Sequence, residues 1–238
     1  MDLKDKHIVI AGGSTGIGFE IARQAQLKGA KVTLLGRSAE KLANAEKRLS
    51  SPATYVQCDI GDTESAKNGF EQVGEFDYFV STAADLTYAP LAEMDTGAID
   101  RMLAGKFWGP INLVKYGLKN IKPGGSVVLF SGLAADRPAP GTSMVSALNA
   151  GVEGLVKALA VELAPIRFNS ISPGVVDTEG WAFMPEEDRK AFFASLETSL
   201  PARKVGAPAD LADATLFALQ NPYLTGETIH VNGGGSLM

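Results

Sequence analysis

With 238 residues, 45% of them hydrophobic and 21% charged, the chain has the composition of one large globular domain rather than of a disordered or fibrous protein. A net charge of -5 leaves no basic field to hold a polyanion, so no nucleic-acid partner is expected. The amino terminus turns glycine-rich too early for a signal-peptide core, and no run of about eighteen apolar residues stands anywhere, which predicts a cytoplasmic protein with no membrane partner.

Short β-branched runs alternate with stretches of helical period. "HIVIAG" precedes a helix over Ile17 to Lys28, "KVTLLG" one over Ala39 to Leu49, and "TYVQC" one over Thr63 to Val73. "FDYFVS" leads into a long helical stretch from about Asp95 to Asn120, and "SVVLFS" into a helix from about Ser143 to Leu163. After "IRFNSIS" comes a polar and aromatic insertion, then a helix near Pro208 to Gln220, and "ETIHVN" closes the series. Seven strands alternating with helices predict an α/β, doubly wound, seven-stranded parallel sheet with helices on both faces, formed as a single domain over 1–238. Cys58 is alone and reads as a small buried hydrophobe, and His7 and His230 lie in strands with no ligand cluster nearby, so no metal site is predicted.

Directly after the first strand stands "AGGSTGIGFEIA". A strand feeding a glycine-rich turn into a helix presents bare amides at a helix N-terminus, where amides and dipole together stabilise a pyrophosphate. Gly12 permits the turn, Gly16 lets backbone approach the phosphates, and Gly18 lets the helix pack closely on the sheet. At the end of the second strand an acidic residue would accept from an adenosine 2′-hydroxyl, but the chain reads "LLGRSAEK". Gly36 leaves space there and Arg37 brings a permanent charge with a fork suited to phosphate, which favours NADP(H) over NAD(H); the alternative is an arginine on a solvated helix start.

With these features the chain resembles the short-chain dehydrogenase/reductase family over nearly its whole length. Gly12, Gly16 and Gly18 match its Thr-Gly-x-x-x-Gly-x-Gly motif with Ala11 in place of the threonine, "CDI" matches its third-strand end, and "NSISPGVVDTE" matches its Pro-Gly segment. "STAA" stands where the family reads Asn-Asn-Ala-Gly, and "LTGETIHVNGGG" looks like its C-terminal strand and turn. The resemblance implies a Rossmann-like domain that binds NADP(H) through Gly12, Ser14, Thr15, Gly16, Ile17 and Gly18 around the phosphates and Arg37 and Ser38 at the 2′-phosphate. Asp59 and Ile60 would meet the adenine and Thr82 and Ala83 the adenosine, while Asn149, Pro173, Gly174, Val176 and Thr178 would line the nicotinamide end. It also implies a homodimer or homotetramer formed through the central helices and the C-terminal segment.

Family members carry Asn, Ser, Tyr and Lys as catalytic residues, the last two spaced Tyr-x-x-x-Lys. Here the tyrosine position falls on Val145, the lysine on Asn149, the serine on Gly132 or Ser131, and the asparagine on Lys106. None of the five tyrosines precedes a lysine by four positions. Valine has no proton to give, and a positioned general acid contributes about 10²–10⁴-fold, so ordinary ketone reduction would be very slow. Asn149 keeps the means to bond ribose hydroxyls. Two residues are candidates for catalysis. Lys106, walled by Phe107 or Trp108, would act as proton donor or electrostatic clamp, unless it pairs with a carboxylate or reaches water; Ser131 would donate to a substrate oxygen, unless it bonds backbone.

The insertion at about 179–203 lies where the family has a substrate lid, and its Trp181, Phe183, Met184, Phe192, Phe193 and Leu196 form an apolar face suited to a flat hydrophobic substrate, a core seal or a subunit contact. Two functions fit these residues: an NADPH-dependent oxidoreductase with an atypical active site, reducing a quinone-like or conjugated hydrophobic carbonyl acceptor, or an inactive NADP(H)-binding protein serving as sensor or oligomer partner.

Overall fold

A computed structural model describes residues 3–238. Seven parallel strands, β1 (His7–Ala11), β2 (Lys31–Gly36), β3 (Thr54–Gln57), β4 (Phe76–Ser81), β5 (Ile121–Phe130), β6 (Arg167–Pro173) and β7 (Thr228–Val231), form one sheet in the order β3-β2-β1-β4-β5-β6-β7. The order reverses between β1 and β4, and that switch point opens a crevice at the carboxyl ends of the strands. The doubly wound α/β prediction is met.

Strand side chains alternate between two apolar layers, as a sheet covered on both faces requires. Ile8 and Ile10 face α1 (Gly16–Leu27), α2 (Ala39–Arg48) and α8 (Pro208–Gln220). Val9 and Ala11 face α3 (Thr63–Val73), Leu113 and α6 (Ser143–Glu162). The amino ends of the strands are tied by Asp77, which accepts from Lys6 Nζ at 2.9 Å and from the His7 amide at 3.0 Å and pairs with Lys122 at 3.7 Å, so one carboxylate joins β1, β4 and β5. The partly buried Arg167 guanidinium donates to the carbonyls of Ala218, Leu219 and Leu224 and so closes the C-terminal end of α8.

The helical stretch expected from about Asp95 to Asn120 is helical over 96–120 but not of one kind: α4 (Thr96–Leu103), a π-helical turn (Ala104–Trp108), the short α5 (Gly109–Asn112), a second π-helical turn (Leu113–Gly117) and a 3₁₀ turn. Pro110 explains the first interruption: without an N–H it cannot bond the carbonyl four residues back, and the ladder widens so that the Gly109 amide reaches Ala104. The insertion after β6 contains α7 (Glu186–Ser199), which opens with Glu186, Glu187 and Asp188 in its first turn, where the helix dipole favours acids.

α6 is also long and apolar enough, by length and composition, to cross a membrane, with a mean hydropathy of 1.4. One side of it is core: Val145, Leu148, Asn149, Val152, Val156, Leu159 and Ala160 are buried.

Candidate active site and nucleotide cleft

The turn after β1 is held in place by contacts that only glycine permits. Gly12 has a positive φ of 81°, and a Cβ there would lie 2.6 Å from Thr82 Oγ1. A Cβ on Gly18 would strike the Gly12 carbonyl. Thr82 fastens the turn to the end of β4, its hydroxyl donating to Ala11 O at 3.2 Å and Gly12 O at 3.3 Å. Thr15 is the exposed N-cap of α1 and makes no side-chain capping bond, while Ile17 packs partly into the core and Ser14 is half-buried. The Gly16 amide at the helix start donates to Glu179 Oε2 at 3.1 Å, so the turn already holds an anion.

Along the adenosine side, Ser38 caps α2 by accepting from the Lys41 amide at 3.2 Å. The exposed Arg37 pairs with Asp85 at 3.3 Å. Asp59 accepts from the Gly61 amide at 2.9 Å, and Ile60 is buried, its carbonyl accepting from Asn112 Nδ2 at 2.8 Å. On the far side, Gly174 lies so close to β7 that a Cβ would stand 2.8 Å from Asn232 Cα. Beyond Pro173, the buried Val176 accepts from Trp181 Nε1 at 2.9 Å, and Thr178 accepts from the Gly180 amide at 3.3 Å.

The polar centre of the site comes from the π-helical turn and α6. Lys106 is buried, and its ammonium donates to Ser131 O at 2.8 Å. Burial pulls its pKa down to about 8 against the opposing pull of the Glu153 carboxylate. Beside it lies a cavity of about 10 Å³, lined by residues including Ser81, Ala83, Gly105 and Phe130, the size of a single water. Asn149 donates from Nδ2 to Gly132 O at 3.2 Å, and its Oδ1 is buried without a partner. Ser131 turns its hydroxyl toward Ile171 O at 3.4 Å, the backbone-bonded arrangement. Val145 is buried with the apolar side chains of Met94, Ala98, Met102 and Leu148.

Sequence reasoning missed Glu153, Glu179 and Asp85. Glu153 follows Asn149 by four residues on α6, a spacing that puts both on one helix face and was the available signal. Nothing local marks the other two, whose partners lie far along the chain.

The family model described as Enoyl-(Acyl carrier protein) reductase matches residues 11–236. This chain belongs to the short-chain dehydrogenase/reductase family. Among its relatives, the short-chain dehydrogenase/reductase malC of Malbranchea aurantiaca is 29% identical over 98% of this chain and 95% of its own. The 3-oxoacyl-[acyl-carrier-protein] reductase FabG of Rickettsia prowazekii (strain Madrid E) is 28% identical over 98% of both chains. A small-chain dehydrogenase solved in complex with NADPH is 33% identical, covers 99% of this chain and 100% of its own, and superimposes with a TM-score of 0.86.

Proposed function

We propose that this protein is an NADP(H)-dependent oxidoreductase that reduces a flat, conjugated, hydrophobic acceptor of the quinone kind and does so without a phenol acid. The observation that carries this reading is the pairing of a fitted nucleotide cleft with an apolar Val145. The fit rests on three features: a glycine turn that already holds a carboxylate, an exposed guanidinium at the end of β2, and the unpartnered acceptor Asn149 Oδ1, suited to a ribose hydroxyl. The NADPH-bound relative supports the same cofactor.

NADPH, when bound, supplies a hydride. The chain's residues orient and stabilise. Asn149 is fixed by Gly132 O and keeps one acceptor free for the ribose. Lys106 uses one of its three donors on Ser131 O and brings a positive charge to the end of β5, where negative charge develops on the acceptor. A conjugated acceptor forms an anion stable enough to take its proton from water, so a valine at 145 costs it little. In the segment after β6, Trp181 packs tilted against Phe183 and Phe192 and edge-on against Phe193, at centroid distances of 5.9, 5.3 and 6.0 Å, an aromatic surface matched to a flat substrate. No residue of α7 is buried, which speaks against this face sealing the core. The outer side of α6, with exposed Ala147, Ala150, Gly154, Ala158 and Val161, is the surface on which a homodimer or homotetramer would form.

The second reading, an NADP(H)-binding protein without turnover, is favoured by one observation: the Ser131 hydroxyl is committed to backbone, so neither it nor residue 145 offers a proton. The two are separated by following NADPH oxidation with a quinone and an aliphatic ketone, NADH serving as control. Turnover of the quinone alone is the expected result. Silence toward both by protein that binds NADPH supports the second reading.

A further inference from the structure

Two anion-recognising groups of the nucleotide cleft are engaged by the chain's own carboxylates. The Gly16 amide, at the start of α1, donates to Glu179 Oε2 at 3.1 Å across a sequence separation of 163 residues. The Arg37 guanidinium meets Asp85 Oδ2 at 3.3 Å across a separation of 48. α1 has no acidic residue in its first turn and its N-cap Thr15 makes no side-chain bond, so the carboxylate at this helix start arrives from the segment after β6. Asp85 arrives from the loop after β4. To an amide or a guanidinium, a carboxylate oxygen and a phosphate oxygen are equivalent partners: anionic acceptors at the same distance.

We propose that Glu179 and Asp85 are intramolecular competitors of the cofactor, Glu179 for its pyrophosphate at the Gly16 amide and Asp85 for its 2′-phosphate at Arg37, so that cofactor entry exchanges both contacts. This rests on the NADP(H) reading above and adds to it the residues that set affinity and selectivity. The pyrophosphate is common to NADPH and NADH, so the Glu179 contact weakens both equally. Only NADPH carries a 2′-phosphate, so Asp85 weakens NADPH alone and reduces the preference that Arg37 creates. The Glu179 exchange also releases the first turn of the aromatic lid, Glu179–Trp181, which ties cofactor arrival to lid movement. Exposed contacts of this kind are modest, and each exchange is worth about 2- to 5-fold in affinity.

The test is fluorescence titration of NADPH and NADH into the wild-type protein, Glu179→Gln and Asp85→Asn, with thermal melts to confirm folding. Glu179→Gln is expected to tighten NADPH and NADH alike; Asp85→Asn is expected to tighten NADPH and leave NADH unchanged. Wild-type protein that binds NADPH, with variants that bind it no better, overturns the competition and leaves the NADP(H) reading standing. Folded wild-type protein that binds neither nucleotide overturns that reading and this proposal with it. Should a neutral variant fail to fold, Glu179→Asp, which withdraws the carboxylate from the Gly16 amide, and Asp85→Ser carry the same test.

Discussion

Lys106 and Asn149 donate to successive carbonyls of one strand end, the ammonium to Ser131 O at 2.8 Å and the amide to Gly132 O at 3.2 Å. They reach it from different helices, and a cation is thereby held beside the end of β5, entering from the π-helical turn.

The ammonium of Lys106 sets a pH limit. Its pKa is pulled down to about 8 by burial, so the proposed reduction should lose kcat/KM as pH rises through about 8, and Lys106→Met should flatten that limb. Stability runs the other way. An unfolded lysine holds its proton to about pH 10.4, whereas the folded site releases it at about 8. Between those values the unfolded state binds more protons, and the site's contribution to stability grows with pH. Wild-type Tm should therefore rise relative to that of Lys106→Met from pH 8 to pH 10.

Asn149→Ala removes the bond to Gly132 O and the free acceptor together. NADPH affinity measured by titration should fall roughly tenfold, the scale of one lost hydrogen bond of about 1.5 kcal/mol. A Cβ on Gly132 would lie 2.8 Å from Asn149 Nδ2, so Gly132→Ser should weaken NADPH binding as well, by pushing that amide aside.

Asp77→Asn should destabilise the fold by about 1–3 kcal/mol in urea at pH 7, because the carboxylate is partly buried and serves three partners. Burial pushes the Asp77 carboxyl up, but the His7 amide and the Lys6 and Lys122 ammoniums outweigh it and hold its pKa below the ordinary value. Its contribution is present above an unfolded value of about 3.9 and should disappear as pH falls through the lower folded value. The wild-type and variant unfolding curves should converge in strong acid.

Cys58 is buried and its thiol is pushed up to about 11, so alkylation should proceed only as the protein unfolds. Its packing is tight: a Cβ on Gly69 would stand 2.6 Å from Cys58 Sγ. Gly69→Ala should cost about 1–3 kcal/mol by overpacking despite alanine's better helix propensity. Adding Cys58→Ala should recover part of that loss in a double-mutant cycle.

Trp181→Ala removes three ring contacts and the indole bond to Val176 O. Since α7 buries no residue, the global melting temperature should hardly move, while limited proteolysis should cut within 182–200 sooner and KM for a flat aromatic acceptor should rise several-fold.

The alternation of strand and helix and the glycine turn were legible because each is a local pattern: side-chain period or turn chemistry. The helical stretch through α4 was legible too, but not its change of type at Pro110, whose missing donor stands in the sequence while the outcome, a π-helical turn that sends Lys106 inward, depends on what the helix packs against. α7 was marked by its acidic start at Glu186, Glu187 and Asp188, although it buries no residue. What only the tertiary structure decided is which groups meet. Burial fixes the charge of Lys106, the fold brings Glu153 near it, and the contacts of Gly16 with Glu179 and Arg37 with Asp85 join loops that no local pattern connects. The sequence determined the scaffold because backbone and periodicity act over a few residues; the site is set by through-space electrostatics between segments that are neighbours only once the sheet has formed.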